Sequence, residues 1–469
     1  MSIETDQITL AAIMAKSRER RWQQKLELAG QGNHVISVQL NVPGYPKVFG
    51  RLDEFFSLIS QEIADFFRSY CIFLDLKEQV CESDDTGSMT LFGVPADIIS
   101  ARQLKVISEQ FEESHPLGRF IDVDILDVTG EAISSGKLKP CFYCQAAPAF
   151  ICRRENKHDI NVLREFIESK VNRFLAKRAT GQLAHTLSAF ACRALLHEVS
   201  LTPKPGLVTR TDAGAHTDMD FTTFLDAIGS FAPYFQDIVR LTDQIEDKDN
   251  SAVLPAIRRI GLQMEGAMNG VTNRVNTHKG AIFLMALAVF CAAKVIRKKG
   301  IFKLGAFVCE VQRISIGLVQ RELCLKTNGK STHGQKCFEQ YGLEGSGARG
   351  EVEQGFPSVV YYGLPVIKEG LEKLGVTPKD EDLRVVLVEA LLNIMTVNND
   401  TNVLFRHGWE VLEEIKRKSA DALLAWRKGD NALYLQMVDE CRKRRISPGG
   451  SADLLSVSMF VCYCDNQFR

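Results

Sequence analysis

The sequence has no apolar run long enough to cross a bilayer. The longest, residues 281–293, is 13 residues, against the ~20 that spanning requires, and it reads as a buried helix. Cysteine is sparse, 13 in 469 residues, which excludes a disulfide-built miniprotein. Net charge is nearly absent: 57 basic and 58 acidic side chains leave −1, so no global basic field points to nucleic acid or an anionic membrane. Internal repeats and low-complexity tracts are missing too. The opening residues, Met1-Ser2-Ile3-Glu4-Thr5-Asp6, lack the basic flank and apolar core of a signal peptide. A soluble, cytoplasmic protein with reduced thiols is the expectation. What is present is an ordinary globular composition, 45% apolar and 25% charged, with chain enough for two or three domains of roughly 150 residues each.

Two textures divide the chain into a mixed α/β domain, residues 1–178, and an all-α helical domain, residues 179–469. In the first, residues 17–28 are helical in composition. Residues 34–42 alternate, with Ile36, Val38, Leu40 and Val42 opposite Ser37, Gln39 and Asn41, as in a half-buried strand stopped by Pro43-Gly44. Residues 50–70 return to helical spacing, 120–128 alternate again, and 163–175 form an amphipathic closing helix. Beyond residue 181 alternation almost vanishes. Helices are predicted over 182–198, 221–241, 252–271, 277–298, 303–325, 380–397, 408–418 and 430–444, with polar motifs between them.

In the first domain, Asp122 and Asp124 occupy positions i and i+2 of a predicted strand. They therefore share one side, about 7 Å apart. Such a pair can hold Mg²⁺ while a phosphate oxygen completes the shell, with Lys47 and Arg119 offsetting phosphate charge. Two solvated acids on an exposed face are the competing reading. Cys141, Cys144, Cys152 and His158 form C-x2-C-x7-C-x5-H, a donor set that suits a structural Zn²⁺ and equally describes plain reduced thiols.

The string Leu40-Asn41-Val42-Pro43-Gly44-Tyr45-Pro46-Lys47, the segment HPLGRFIDVD over 115–124, and the Cys/His set together resemble a known family. It is that of the apo-citrate lyase phosphoribosyl-dephospho-CoA transferases, or holo-citrate lyase acyl carrier protein synthases. The resemblance covers nearly all of residues 10–178. It implies that a serine of the lyase's acyl carrier subunit attacks a phosphorus of a triphosphoribosyl donor and releases pyrophosphate. Charge neutralisation by a two-acid strand suits such in-line transfer.

In the second domain, prolines and Gly206 set a non-helical path bearing Lys204 and Arg210. His216, Asp218 and Asp220 follow where the next helix begins, so one of the acids reads equally well as a helix cap. His278-Lys279-Gly280 precedes the most apolar helix, whose start is a natural anion site. Seven glycines lie between Gly329 and Gly355, a segment holding Ser331, Arg349 and Glu351, and read as a loop that lets backbone approach phosphate. Asp400, Arg406 and Asp453 mark two further helix edges.

These strings resemble the triphosphoribosyl-dephospho-CoA synthases over about residues 185–460. The resemblance implies that ATP and 3′-dephospho-CoA give a triphosphoribosyl-dephospho-CoA plus adenine. An oxocarbenium-like transition state favours a carboxylate, and the attacking hydroxyl needs a base. Asp218, Asp220 and Asp400 are accordingly expected in metal or base roles, with Glu351 as a further acid. Lys204, Arg210, Lys279, Arg349 and Arg406 are expected on phosphates, and Asp453 in substrate binding. His216 and His278 are expected to donate to phosphate or adenine. The whole reads as a bifunctional fusion whose second half makes what its first half transfers. The same chemistry on a malonate decarboxylase carrier, or a non-catalytic carrier-binding scaffold, are the alternatives. The expectation to be tested is that Asp218, Lys279, Arg349 and Asp400 share one cavity.

Overall fold

The computed structural model describes residues 2–74, 79–134, 136–245, 250–324, 332–375 and 379–469, without the side chains of 2–9, 250 and 251. Ser331 and Gly329 lie outside the described residues. The chain divides into two compact units, Met1–Arg178 and Ala179–Arg469.

The first unit contains α1 (Ser2–Gly30), β1 (Asn33–Leu40), α2 (Leu52–Arg68), β2 (Val80–Asp84), β3 (Gly87–Pro95), α3 (Ala101–Ser114), β4 (Ile121–Leu126), α4 (Ala149–Arg154) and the start of α5 (Ile160–Ser200). The strands form one antiparallel sheet in the order β2-β3-β1-β4. Ile36 and Val38 of β1 join Val123, Ile125, Phe92 and Val94 in a core with α2, α3 and α5. The half-buried reading of β1 needs correction. Val35 and Ser37 on its other face are also buried, because α1 covers that side through Leu28 and Ala29 against Met89, Leu91 and Leu126. At the outer edge, β4 has few free backbone groups. Glu112 accepts from Val123 N at 2.9 Å, Lys105 donates to Val123 O at 3.0 Å, and Ile133 N donates to Ile125 O at 2.8 Å. Gly118 fits where nothing larger would, since an added Cβ would lie 1.7 Å from the Glu112 carbonyl oxygen.

The second unit takes the rest of α5, then α6 (Phe221–Gly229), α7 (Ala232–Arg240), α8 (Asn250–Val271), α9 (Lys279–Lys299), α10 (Leu304–Ser315), α11 (His333–Tyr341), α12 (Gly347–Glu353), α13 (Leu364–Leu374), α14 (Asp380–Met395), α15 (Thr401–Trp426), α16 (Ala432–Lys443) and α17 (Gly449–Gln467). Among the described residues α9 alone is long and apolar enough to cross a membrane, yet it is the core helix of this unit. Leu284, Leu287, Phe290 and Ala293 are among its fully enclosed side chains, and α7, α8, α10 and α17 pack on it.

Several predicted boundaries shift for local reasons. Residues 177–181 carry no break, because α5 continues through Gly181. The helix predicted over 221–241 is two, interrupted before Pro233, which lacks the N–H an unbroken helix would use. The predicted helix over 303–325 ends at Ser315. From Thr332 onward the glycine-rich stretch is no open loop. It holds α11, closed by the reciprocal Thr332–Gln335 capping box, and α12, with glycines at their ends. The predicted loop after Asp400 is the start of α15, which kinks at Gly408 where φ is 82°.

Candidate active sites

In the second unit, residues at the starts of α9, α11, α15 and α17 line one cavity of ≈ 770 Å³. Each helix start concentrates N–H groups and the positive end of a macrodipole, so together they favour an anion. His216, His278, Lys279, Arg349, Glu351, Asp400, Arg406 and Asp453 all line this space. Lys279, Arg349 and Asp400 thus share the cavity, whereas Asp218 does not line it.

The remaining expected residues are placed differently. Asp218 lies beside the cavity, with Oδ1 4.0 Å from His216 Nδ1 and its side chain 64% exposed. Asp220 is the N-cap of α6, accepting from Thr223 N at 3.0 Å, which holds its pKa below the usual range. Lys204 is buried and ion-paired with Glu198, and its Nζ donates to Glu198 O at 2.7 Å. Its charge is therefore spent on the protein. Arg210 forms a bidentate pair with Asp380 at 3.1 and 3.2 Å on the surface, away from the cavity. Asp380 lies 170 residues from Arg210, beyond the reach of local spacing, whereas Glu198 is only six residues from Lys204.

Glu198, Arg258 and Glu322 also line the cavity and were not anticipated. Glu322 sits between two cations, accepting from Arg349 Nε at 2.8 Å and from Arg258. Asp400 is buried and joins two helix starts: Oδ1 accepts from Asn402 N at 3.0 Å and Oδ2 from Ser451 N at 2.9 Å. Both oxygens are thereby engaged. Glu351 is similarly tied to Ser358, by N at 2.7 Å and Oγ at 3.0 Å. Asp453 accepts no hydrogen bond among the described residues. Burial, then the charges of Glu198 and Asp400, raise its pKa well above the carboxylate range. Its Oδ2 rests against Gly280, where an added Cβ would lie 2.2 Å away.

The two histidines are both held neutral. His216 is depressed by burial and by Arg406, and its Nε2 meets Ser447 Oγ at 3.0 Å. His278 is enclosed by Phe224 and Phe231, at ring distances of 4.6 and 5.4 Å, and burial with the Lys204 charge lowers it to about 3. A cationic His278 on phosphate is thus excluded near neutral pH. Its folded value lies below the unfolded value near 6.5. The stability tied to the neutral ring is complete above that pH and is lost as pH falls toward about 3. Urea titrations at pH 7 and pH 5 should show a loss of order 1–2 kcal/mol in the wild type that shrinks in His278→Gln. Equal losses in the two proteins would refute this origin.

In the first unit, Arg18, Arg21 and Lys25 of α1 join Lys47 and Gln39 around a smaller cavity of ≈ 160 Å³. Asp122 is the cross-strand partner of Gln39 and Asp124 that of Ser37, so both acids stand on the face that α1 covers. Lys25 is buried; desolvation lowers its pKa, opposed by Asp124 and Asp122. Lys47 is lowered by desolvation and the nearby arginines. Asp122 is raised, by desolvation and then by Asp124, although its side chain stays accessible. Asp122 is thus exposed, as the solvated-acid reading has it, yet it shares its face with Asp124 and Lys25. Arg119 lies off this cavity and donates to the Pro140 carbonyl, a structural bond. The α1 cations went unanticipated, although 18, 21 and 25 have the i, i+3, i+7 spacing of one helix face.

Cys141, Cys144, Cys152 and His158 converge, their ligand atoms all within 4.8 Å of one another. All thirteen cysteines are thiols.

Comparison with known proteins agrees with this division. The family model CitX, apo-citrate lyase phosphoribosyl-dephospho-CoA transferase, matches residues 8–174. CitG, ATP:dephospho-CoA triphosphoribosyl transferase, matches residues 184–469. Protein CitXG of Haemophilus influenzae is 30% identical, covering 98% of this chain and 97% of that one. Protein CitXG of Leuconostoc mesenteroides is 28% identical over 94% of this chain and 95% of its own. A probable 2-(5''-triphosphoribosyl)-3'-dephosphocoenzyme-A synthase of Salmonella typhimurium is 35% identical over 60% of this chain and 91% of its own. The chain therefore belongs to the CitXG fusions, bifunctional transferases of citrate lyase prosthetic-group biosynthesis.

Proposed function

We propose that the large cavity of residues 179–469 binds ATP and 3′-dephospho-CoA and exchanges adenine for the dephospho-CoA 2′-hydroxyl at the ribose C1 of ATP. The observation that carries this reading is the grouping of Lys279, Arg349, Arg406 and four helix starts around one space. Lys279, Arg349 and Arg406 hold the triphosphate. The environments of His216 and Asp453 push their pKa values in opposite directions, the pattern of an acid–base pair. His216, neutral and beside Asp218, accepts the hydroxyl proton. Asp453, kept protonated, donates to a ring nitrogen of departing adenine. Asp400 and Glu351 act as positioning residues, because their oxygens are committed to backbone and Ser358.

Mg²⁺ fits the two units differently. Asp218 and Asp220 stand outside the cavity and Asp220 is engaged as a cap, so no metal role follows for them. Asp122 and Asp124, side by side on β4 and facing Lys25, do fit. There a bound Mg²⁺ would supply charge neutralisation at the phosphate under attack. Arg18, Lys25 and Lys47 stabilise the departing pyrophosphate as a serine of the apo-citrate lyase acyl carrier subunit is modified. The CitX match favours this carrier over that of malonate decarboxylase. The free thiols suit a reducing cytoplasm.

The full chain with ATP, Mg²⁺ and 3′-dephospho-CoA is expected to release adenine, and absence of release would refute the proposal. Lys279→Ala should raise KM for ATP about 10- to 100-fold with a smaller change in kcat. Asp453→Asn should lower kcat about 10²-fold and remove the alkaline limb of its pH profile. An alkaline limb that persists in that variant would remove Asp453 from the acid role.

A further inference from the structure

We propose that Cys141, Cys144, Cys152 and His158 bind one zinc ion that braces the chain between β4 and α5. This site lies outside the proposed catalytic cavities and does not depend on the roles assigned there.

The geometry carries the inference. Four donors from a span of 18 residues lie mutually within 4.8 Å, the only such group of His, Cys, Asp or Glu among the described residues. Cys144 Sγ and Cys152 Sγ are 3.7 Å apart. That is far beyond the ~2.05 Å of a disulfide, and close to the ~3.8 Å edge of a tetrahedron with 2.3 Å zinc–sulfur arms. Independently, His158 Nε2 is shut off from solvent and has no hydrogen-bond partner among the described residues. A buried ring nitrogen without a partner costs about 1–3 kcal/mol unless something else satisfies it. Three thiolates and one imidazole select zinc over hard cations, and four protein donors give the closed shell of a structural site.

The local chain has need of such a brace. Between β4 and α5, the regular structure among the described residues amounts to the six-residue α4 and two isolated bridges, Leu126–Ala132 and Pro140–Pro148. The Cys141 turn closes by Gln145 N donating to Cys141 O at 3.0 Å and Cys141 N to Ala147 O at 2.8 Å. Gln145 there has φ 55°, an unfavourable region for a residue with a Cβ. Apolar support comes from Phe142 and Tyr143 against Phe120 and Phe166, and from Ile133 against the core. The same turn receives Arg119, whose guanidinium bonds to Pro140 O three residues before Asp122. The metal thereby positions the start of β4 without touching substrate.

Elemental analysis of the purified full chain should find about one zinc per chain. Loading the chelated protein with Co²⁺ should give the intense visible bands of a tetrahedral thiolate site. Chelation should expose Cys141, Cys144 and Cys152 to alkylation. Cys144→Ser and Cys152→Ser should lose the metal, while Cys71→Ser and Cys324→Ser, exposed and outside the cluster, should retain it. The far-ultraviolet circular dichroism spectrum and melting transition of the full chain report whether each variant is folded. The wild-type metal content and cobalt spectrum need no variant at all. Metal-free wild type that stays unloaded with added zinc would overturn the proposal. So would iron in its place, a Cys144–Cys152 disulfide, or zinc undiminished in both cluster variants.

Discussion

Asp122→Asn should abolish transfer to the carrier subunit, by about 10³-fold or more, while adenine release continues at the wild-type rate. The asymmetry follows from placement. Asp122 stands on β4 in the first unit, next to Asp124 and opposite Lys25. The substitution keeps size and most hydrogen bonding but removes one of two charges that a cation and two phosphates must share. The amide is also neutral at every pH, so raising the pH does not restore it. Two assays on one preparation suffice: the mass of the carrier subunit, and chromatography of free adenine. Normal carrier modification would remove Asp122 from the reaction. Parallel loss of both activities would point to general unfolding.

Gly206→Ala should destabilise the second unit by about 3 kcal/mol or more and depress its melting transition by about 6–12 °C. Two costs coincide at this position. The backbone has φ +62°, and an added Cβ would lie 1.8 Å from the Ile446 carbonyl oxygen, which cannot swing aside as a side chain can. Gly206 O also accepts from Ala215 N at 3.0 Å, so any shift reaches His216 next door. Gly300 serves as the comparison, with φ +73° but nothing within 4 Å of its absent Cβ. Gly300→Ala should cost about 1 kcal/mol, from left-handed backbone alone. Calorimetry that finds equal losses for the two would show that the Ile446 clash is relieved without cost.

What the sequence made legible was periodic or local. Asp122 and Asp124 could be put on one strand face because alternation survives around them. The Cys/His set could be collected because its members lie within one short span. β2 and β3 were missed: Val80–Asp84 is short and polar, and β3 buries four consecutive residues, Met89 to Phe92, so alternation is confined to its last four positions. Second-unit cations were less readable than their motifs suggested. Lys204 and Arg210 share one string, yet one meets Glu198 and the other Asp380, 170 residues away. Charge in a motif announces electrostatic work, and only the fold decides whether a substrate or a neighbouring carboxylate receives it. Arg258, Glu322 and Arg349 make the same point, since nothing local joins three residues from distant parts of the chain.

The closed flank of β4 restricts how an acceptor can dock. Glu112, Lys105 and Ile133 already occupy the outward N–H and C=O of Val123 and the C=O of Ile125. An incoming polypeptide therefore finds the ladder blocked at Val123 and at the Ile125 carbonyl, and cannot pair along the whole strand as a fifth one. If Asp122 serves the transfer as proposed, the acceptor serine should arrive as a projecting tip rather than along an extended segment zipped to this border.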